Sequence, residues 1–177
     1  MKLIGVECWA DKYFFERLLN DKSIIRKESN DDAVIEGVVI RSKGNFSIGI
    51  VDIDKDEKIP KDFTKICENE NTQIFKHNGN CQFLILIGPR QFEHWINEYL
   101  KIKNSTVENF GFTNFVEFMK QSKSLKPEND ERFKNLISFV IENFQETDNH
   151  ILKLKIHLEY ILEKKYQFNI EEFQNIY

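Results

Sequence analysis

The stretch FSIGIVDID, residues 46–54, decides the fold class, because six uncharged residues run without a break into two acids spaced two apart, Asp52 and Asp54. An apolar run of this length, rich in β-branched residues, predicts a buried strand. Its acids then fall at the carboxyl end, and in an open α/β sheet that end is where ligands gather.

Outward from this strand, the chain alternates between two periodicities. On the amino-terminal side, KLIGVE (2–7) reads as a short strand ending in Glu7. Asp11 is placed to cap the following helix, in which Phe14, Phe15, Leu18 and Leu19 recur at helical spacing. Residues 23–28 read as a second strand. Asn30 or Asp31 then caps a helical stretch through Ala33, Val34, Val38 and Val39 that stops near Gly44, with strand as the alternative because of its β-branched content. On the carboxyl side, residues 55–61 form a charged loop closed by Pro60. A short helix is expected near 61–67, a strand at 72–76, a turn at Gly79 and a buried strand over 81–88. Pro89 is placed to open a helix whose apolar face carries Phe92, Trp95, Ile96 and Leu100.

Alternation of this kind through about residue 101 predicts a Rossmann-like α/β fold, with a mostly parallel sheet flanked by helices. From Ser105 onward the patterns are helical only, over 107–119, 128–144, 148–165 and 170–176. The expected organisation is therefore an α/β domain over 1–103 and an all-helical extension over 104–177 packed on it.

Length and composition set the frame. The 177 residues match one domain of ordinary size, and 41% hydrophobic residues with only 3 Pro and 7 Gly mark a folding chain, not a disordered one. A net charge of -4 supplies no global field for nucleic acid, so any such partner must be gripped by a local patch. Cys8, Cys67 and Cys81 are widely spaced and odd in number, which suits a reducing compartment. The first residues reach Glu7 too soon for a signal peptide, and no apolar run approaches the ~20 residues that span a bilayer. A cytoplasmic protein with no membrane partner is expected.

Three acids thus stand at strand ends: Glu7 on the first strand, Asp52 and Asp54 on the third. Residues two apart on a strand share a face, so Asp52 and Asp54 can offer both carboxylates to one ion. Hard oxygen ligands of this type suit Mg²⁺ or Mn²⁺. A D-x-D by itself often just ends a strand in an Asx-turn. Asp52, however, follows Ile-Gly-Ile-Val directly, where an uncompensated charge is costly.

Two motifs resemble those of the Toprim domain, found in topoisomerases, bacterial primases, small ribosomal-RNA maturases and overcoming-lysogenization-defect nucleases. V-E-C-W-A-D (Val6 to Asp11) resembles the family's strand that ends in Glu ahead of a helix, with Cys8 where the family has Gly. I-V-D-I-D-K-D (Ile50 to Asp56) resembles its D-x-D strand end. The segment from Ile85 to Ile96, with Gly88, Pro89, Glu93 and Trp95, resembles the late strand and helix of the small standalone members. The likeness covers residues 1–101. It implies metal-assisted phosphoryl transfer, with Glu7 as acid/base residue or metal ligand and Asp52 and Asp54 as Mg²⁺ ligands. With water as acceptor it implies a nuclease, in a mobile-element or defence setting.

Asp11, Asp56 and Glu93 are candidates for supporting roles around such a site, although capping or solvation is the ordinary use of such residues. The histidines form no zinc motif. The competing expectation is a non-catalytic α/β binding module that keeps the acids for structure and docks a partner protein through its helical tail.

Overall fold

The computed structural model describes residues 2–42, 44–53 and 59–176. Six strands, β1 (Ile4–Val6), β2 (Ile25–Lys27), β3 (Ser47–Asp52), β4 (Phe63–Asn69), β5 (Thr72–His77) and β6 (Gln82–Ile87), form one sheet in the order β2-β1-β3-β6-β5-β4. β1 runs parallel to β2 and β3, and β3 runs parallel to β6. The β4–β5 hairpin extends the sheet antiparallel at one edge. The helices are α1 (Trp9–Leu18), α2 (Asp31–Glu36), α3 (Phe92–Ile102), α4 (Phe115–Ser122), α5 (Glu131–Asn143), α6 (His150–Lys164) and α7 (Ile170–Gln174). The architecture is α/β, with a mostly parallel mixed sheet and a Rossmann-like arrangement.

Period-two alternation assigns the two faces of the sheet. Ile48 and Ile50 of β3, with Phe83, Ile85 and Ile87 of β6, pack into the main core beside α1 and α3. Val51 and Leu86 face the other way, toward Val34 of α2. Gly49 lies on that second face. A Cβ there would stand 2.9 Å from both Leu84 Cδ2 and Val34 Cγ1, so its absence lets α2 lie close on the sheet.

The main core runs through both halves of the chain. Phe14, Phe15 and Trp95 share it with Phe133, Leu136 and Val140 of α5 and Leu154 and Leu158 of α6. His150 ties α6 to α3: its Nε2 lies 2.9 Å from the Trp95 carbonyl oxygen, so that nitrogen carries the proton and donates it. Far along the chain, the Tyr166 hydroxyl accepts the Phe46 N–H at 2.9 Å, just before β3.

Several expectations are corrected. Residues 63–69 form β4, not a helix, and pair with β5 through an irregularity between Lys65 and Cys67. The stretch 31–41 is helical as expected and not a strand, with the Asn30 side chain accepting the Ala33 N–H at 2.8 Å and a π-helical turn over Gly37–Arg41. The single helix expected over 107–119 is a 3₁₀ turn at Val107–Phe110, broken at Gly111 (φ +94) before α4 begins. Pro89 precedes α3 without opening it, since Gln91 holds the N-cap position. Among the described residues no helix is long and apolar enough to cross a membrane.

Candidate acidic site at the strand ends

β1 and β3 are neighbours, with Val6 opposite Ile50, so the chain leaving β1 at Glu7 emerges beside the end of β3. Asp52 is the last residue of β3 and shares its face with Ile48 and Ile50, the face covered by α1 and α3. Its Oδ1 accepts the backbone N–H of Phe92, the first residue of α3, at 2.8 Å. This places the carboxylate against a helix N-terminus, where unpaired N–H groups favour negative charge.

The turn from β6 into α3 is drawn tight by Gly88. A Cβ at Gly88 would lie 2.7 Å from Ile53 Cδ1, and Ile53 is the residue after Asp52. The close crossing delivers Phe92 and Glu93 to the end of β3. Glu93 is 3% exposed, and its Oε1 accepts a hydrogen bond from Ser122 Oγ at the end of α4.

α1 contributes the fourth acid. Cys8, not Asp11, is the N-cap: its Sγ accepts the Asp11 N–H at 3.3 Å, and Asp11 Oδ2 accepts the Cys8 N–H at 3.1 Å. This is a capping box with sulfur in the role usual for a serine hydroxyl. Asp11 is 5% exposed, and its Oδ1 is buried with no hydrogen-bond partner among the described residues.

The electrostatics follow from that geometry. Burial is the main force raising the Asp52 carboxyl above the usual carboxylate range, and the charges of Asp11, Glu7, Glu93 and Asp31 push it the same way. Asp11 is also raised, first by burial. Its hydrogen bonds with Cys8 pull it down, and Glu7 and Glu93 push it up. The Cys8 thiol is raised by burial and by Asp11, so it stays protonated and is no nucleophile. Among the described residues no Lys or Arg forms an ion pair with Glu7, Asp11, Asp52 or Glu93.

Glu7, expected beside Asp52, is one of the charges that raise the Asp52 carboxyl, while Asp54 and Asp56 lie outside the described residues. Asp11 does not serve as the expected N-cap, and among the charges acting on Asp52 it stands first. Glu93 belongs to the cluster and is not a surface residue. Ser122, which no motif singles out, is the donor that holds Glu93. Among the described residues no three His, Cys, Asp or Glu side chains are arranged as a ready ligand set for a metal.

At the opposite edge of the sheet, a groove of about 370 Å³ lies between β4 and the last helices, lined by Ile66, Cys67, His157 and Phe173 among others. It shares no residue with the acidic cluster. Comparison with family models, with curated proteins and with solved structures gives no match.

Proposed function

We propose that this chain is a Toprim-like, divalent-cation-dependent phosphoryl-transfer protein, most simply a nuclease that cleaves a nucleic acid phosphodiester. One observation carries the reading. Asp52, half-buried at the carboxyl end of a central parallel strand, faces the carboxylates of Asp11, Glu7 and Glu93, which all push its charge out, and among the described residues no cationic side chain is ion-paired with any of the four. Like charges at one site must shed a charge by taking up a proton or gain a cation.

The donor set fits Mg²⁺ or Mn²⁺. It is made of hard oxygens only, and Asp11 Oδ1 is a buried acceptor without a donor. Glu7 and Asp52 are the residues that would hold the ion, with Asp54 added by the Toprim resemblance. Mg²⁺ needs only one or two carboxylates, the rest of its shell being water and phosphate oxygen, so the lack of a three-residue protein cage is compatible with it. When bound, the ion supplies charge neutralisation at the phosphate.

The chain's own residues do the positioning. The Phe92 N–H fixes the orientation of Asp52, Ser122 fixes Glu93, and the Cys8–Asp11 capping box fixes the start of α1 directly after Glu7. Glu7, half-buried where Asp11 and Glu93 are buried, has access to take a proton from an incoming water.

The test is thermal unfolding at pH 7 with and without MnCl₂ or MgCl₂. An ion bound at ten times its Kd adds about 1.4 kcal/mol, or a Tm rise of about 3–6 °C for a chain of this size. The rise is expected in the wild type and absent in Asp52→Asn, and Mn²⁺-dependent cleavage of a labelled oligonucleotide should vanish in the same variant. A Tm indifferent to both ions sinks the proposal.

A further inference from the structure

Two tryptophans occur in the chain, and they are placed oppositely. Trp95 is fully buried, whereas Trp9 is 38% exposed. Trp9 is the first residue of α1, two positions after Glu7 in the chain. Two ammonium groups from different elements converge on it. Lys12 Nζ lies 5.9 Å and Lys27 Nζ 5.8 Å from the ring centroid. Lys12 comes from the next turn of α1. Lys27 ends β2, directly opposite Val6 of β1. Lys12 also pairs with Glu16, while Lys27 has no carboxylate partner among the described residues.

We infer that Trp9, Lys12 and Lys27 form a docking platform for single-stranded nucleic acid, on which one base stacks on the indole and the adjoining phosphates meet the two ammonium groups. Three features point to that occupant and not to a peptide or a duplex. The indole offers its π-surface to a planar base, without regard to sequence, once the flexible lysine side chains lying over it swing aside to the phosphates, and only an unstacked base offers its own face. Two cations held over the ring match a ligand that joins π-surface to anion at short range. The platform is also adjacent to Glu7, in a protein whose overall charge of -4 otherwise repels a polyanion, so attraction must be local. The inference rests on the phosphodiester reading of the acidic site for the direction in which the strand runs, from Trp9 across Glu7 toward Asp52.

The fluorescence of the protein gives a direct readout, because Trp9 is the exposed indole. The full chain is titrated with oligo-dT of fifteen nucleotides in low salt and EDTA, following tryptophan emission and the anisotropy of a labelled oligomer. Quenching of the solvent-exposed emission is expected, with no quenching by an abasic strand of equal length. Trp9→Ala should bind oligo-dT at least about tenfold more weakly, as loss of one stacked base does. Lys12→Ala/Lys27→Ala should bind with a salt dependence shallower by about 1.4 in log–log slope, about 0.7 per lost phosphate contact on a single strand. Circular dichroism of each variant checks that it is folded.

Unchanged emission with oligo-dT, or equal affinity of Trp9→Ala and the wild type, overturns the inference. So does emission that responds to vesicles of anionic phospholipid and not to oligo-dT, which would make the surface a membrane contact. Since EDTA removes the ions, this outcome is independent of the Tm shift with Mn²⁺. Binding of oligo-dT without an ion-dependent Tm rise condemns the metal site alone, and the reverse result condemns the platform alone.

Discussion

Asp52 shows at the scale of one residue how a fold can hold an acid against its own stability. Its carboxyl is raised in the folded state relative to the unfolded chain, so the folded state keeps the proton longer. The sign follows. Below the ordinary carboxylate range both states are protonated and no penalty exists. As pH rises through that range the unfolded chain ionises first, and stability is lost. Asp52→Asn keeps the acceptor for the Phe92 N–H and removes the ionisable group. It should therefore raise stability of the metal-free protein at pH 7, by about 1–2 kcal/mol, with the gain shrinking to nothing near pH 4. Urea denaturation of both proteins at the two pH values checks this, and a variant less stable than wild type at pH 7 contradicts it. Such a gain from removing a group is the mark of a site kept for function.

The sequence makes Glu7 and Asp52 readable because an acid at the end of an apolar run is conspicuous. Asp11 and Glu93 are harder to weigh: each sits in a first helical turn, where acids are ordinary caps, and only the packing shows that they are buried. Ser122 has no local signal at all, since its meaning comes from a contact 29 residues away in the chain.

At the scale of elements, β4 shows why one strand reads as a helix. Its buried residues are Phe63 and Ile66, three apart and on opposite faces of the sheet: Phe63 packs with Val38 and Leu84, Ile66 with the main core. Burial on both faces of the strand thus gives a spacing of three, which imitates one face of a helix. The irregularity between Lys65 and Cys67, with Lys65 and Glu68 exposed, guards a sheet edge against pairing with another chain.

β3 is read correctly because nothing interrupts it, and its glycine carries a second constraint. Gly49→Ala would press a methyl group against Leu84, Val34 and Val38 at 2.9–3.0 Å. The expected cost is about 1–3 kcal/mol, seen as a lower urea midpoint with an unchanged slope. Because Gly49 points to the α2 face and Asp52 to the α1–α3 face, the Tm rise with Mn²⁺ should survive in this variant. Loss of that rise would mean that the two faces are coupled.

At the scale of the whole molecule, the helical residues after 104 complete the core that α1 and α3 begin, and they supply the serine that holds Glu93. The chain pattern marks the change from alternating to helical character but cannot show which faces meet. His150 is one such meeting point, and it sets up a test of the entire charge balance. Burial lowers its pKa to about 4 from an ordinary 6.5, so it sits neutral against the Trp95 carbonyl. The unfolded chain takes up the proton first as pH falls. His150 therefore contributes stability that is present above 6.5 and lost toward 4, at up to about 1.4 kcal/mol per pH unit. His157, also lowered by burial, acts in the same direction.

Asp52 and Asp11 act in the opposite direction over the same interval, gaining stability as pH falls. Glu117, held low first by the Thr113 N–H and then by Arg132, and Asp130, held low by Arg132, lose their contribution only below the ordinary carboxylate range. Between pH 6.5 and 4 the buried acids and histidines thus oppose each other, and the metal-free wild type should show a nearly flat stability profile. Removing one side exposes the other: Asp52→Asn should lose stability as pH falls through that window, and His150→Gln should gain it. The measurement is the urea midpoint at half-unit steps of pH in EDTA. If the Asp52→Asn profile stays as flat as that of the wild type, Asp52 does not carry the raised proton affinity on which the cation site was argued.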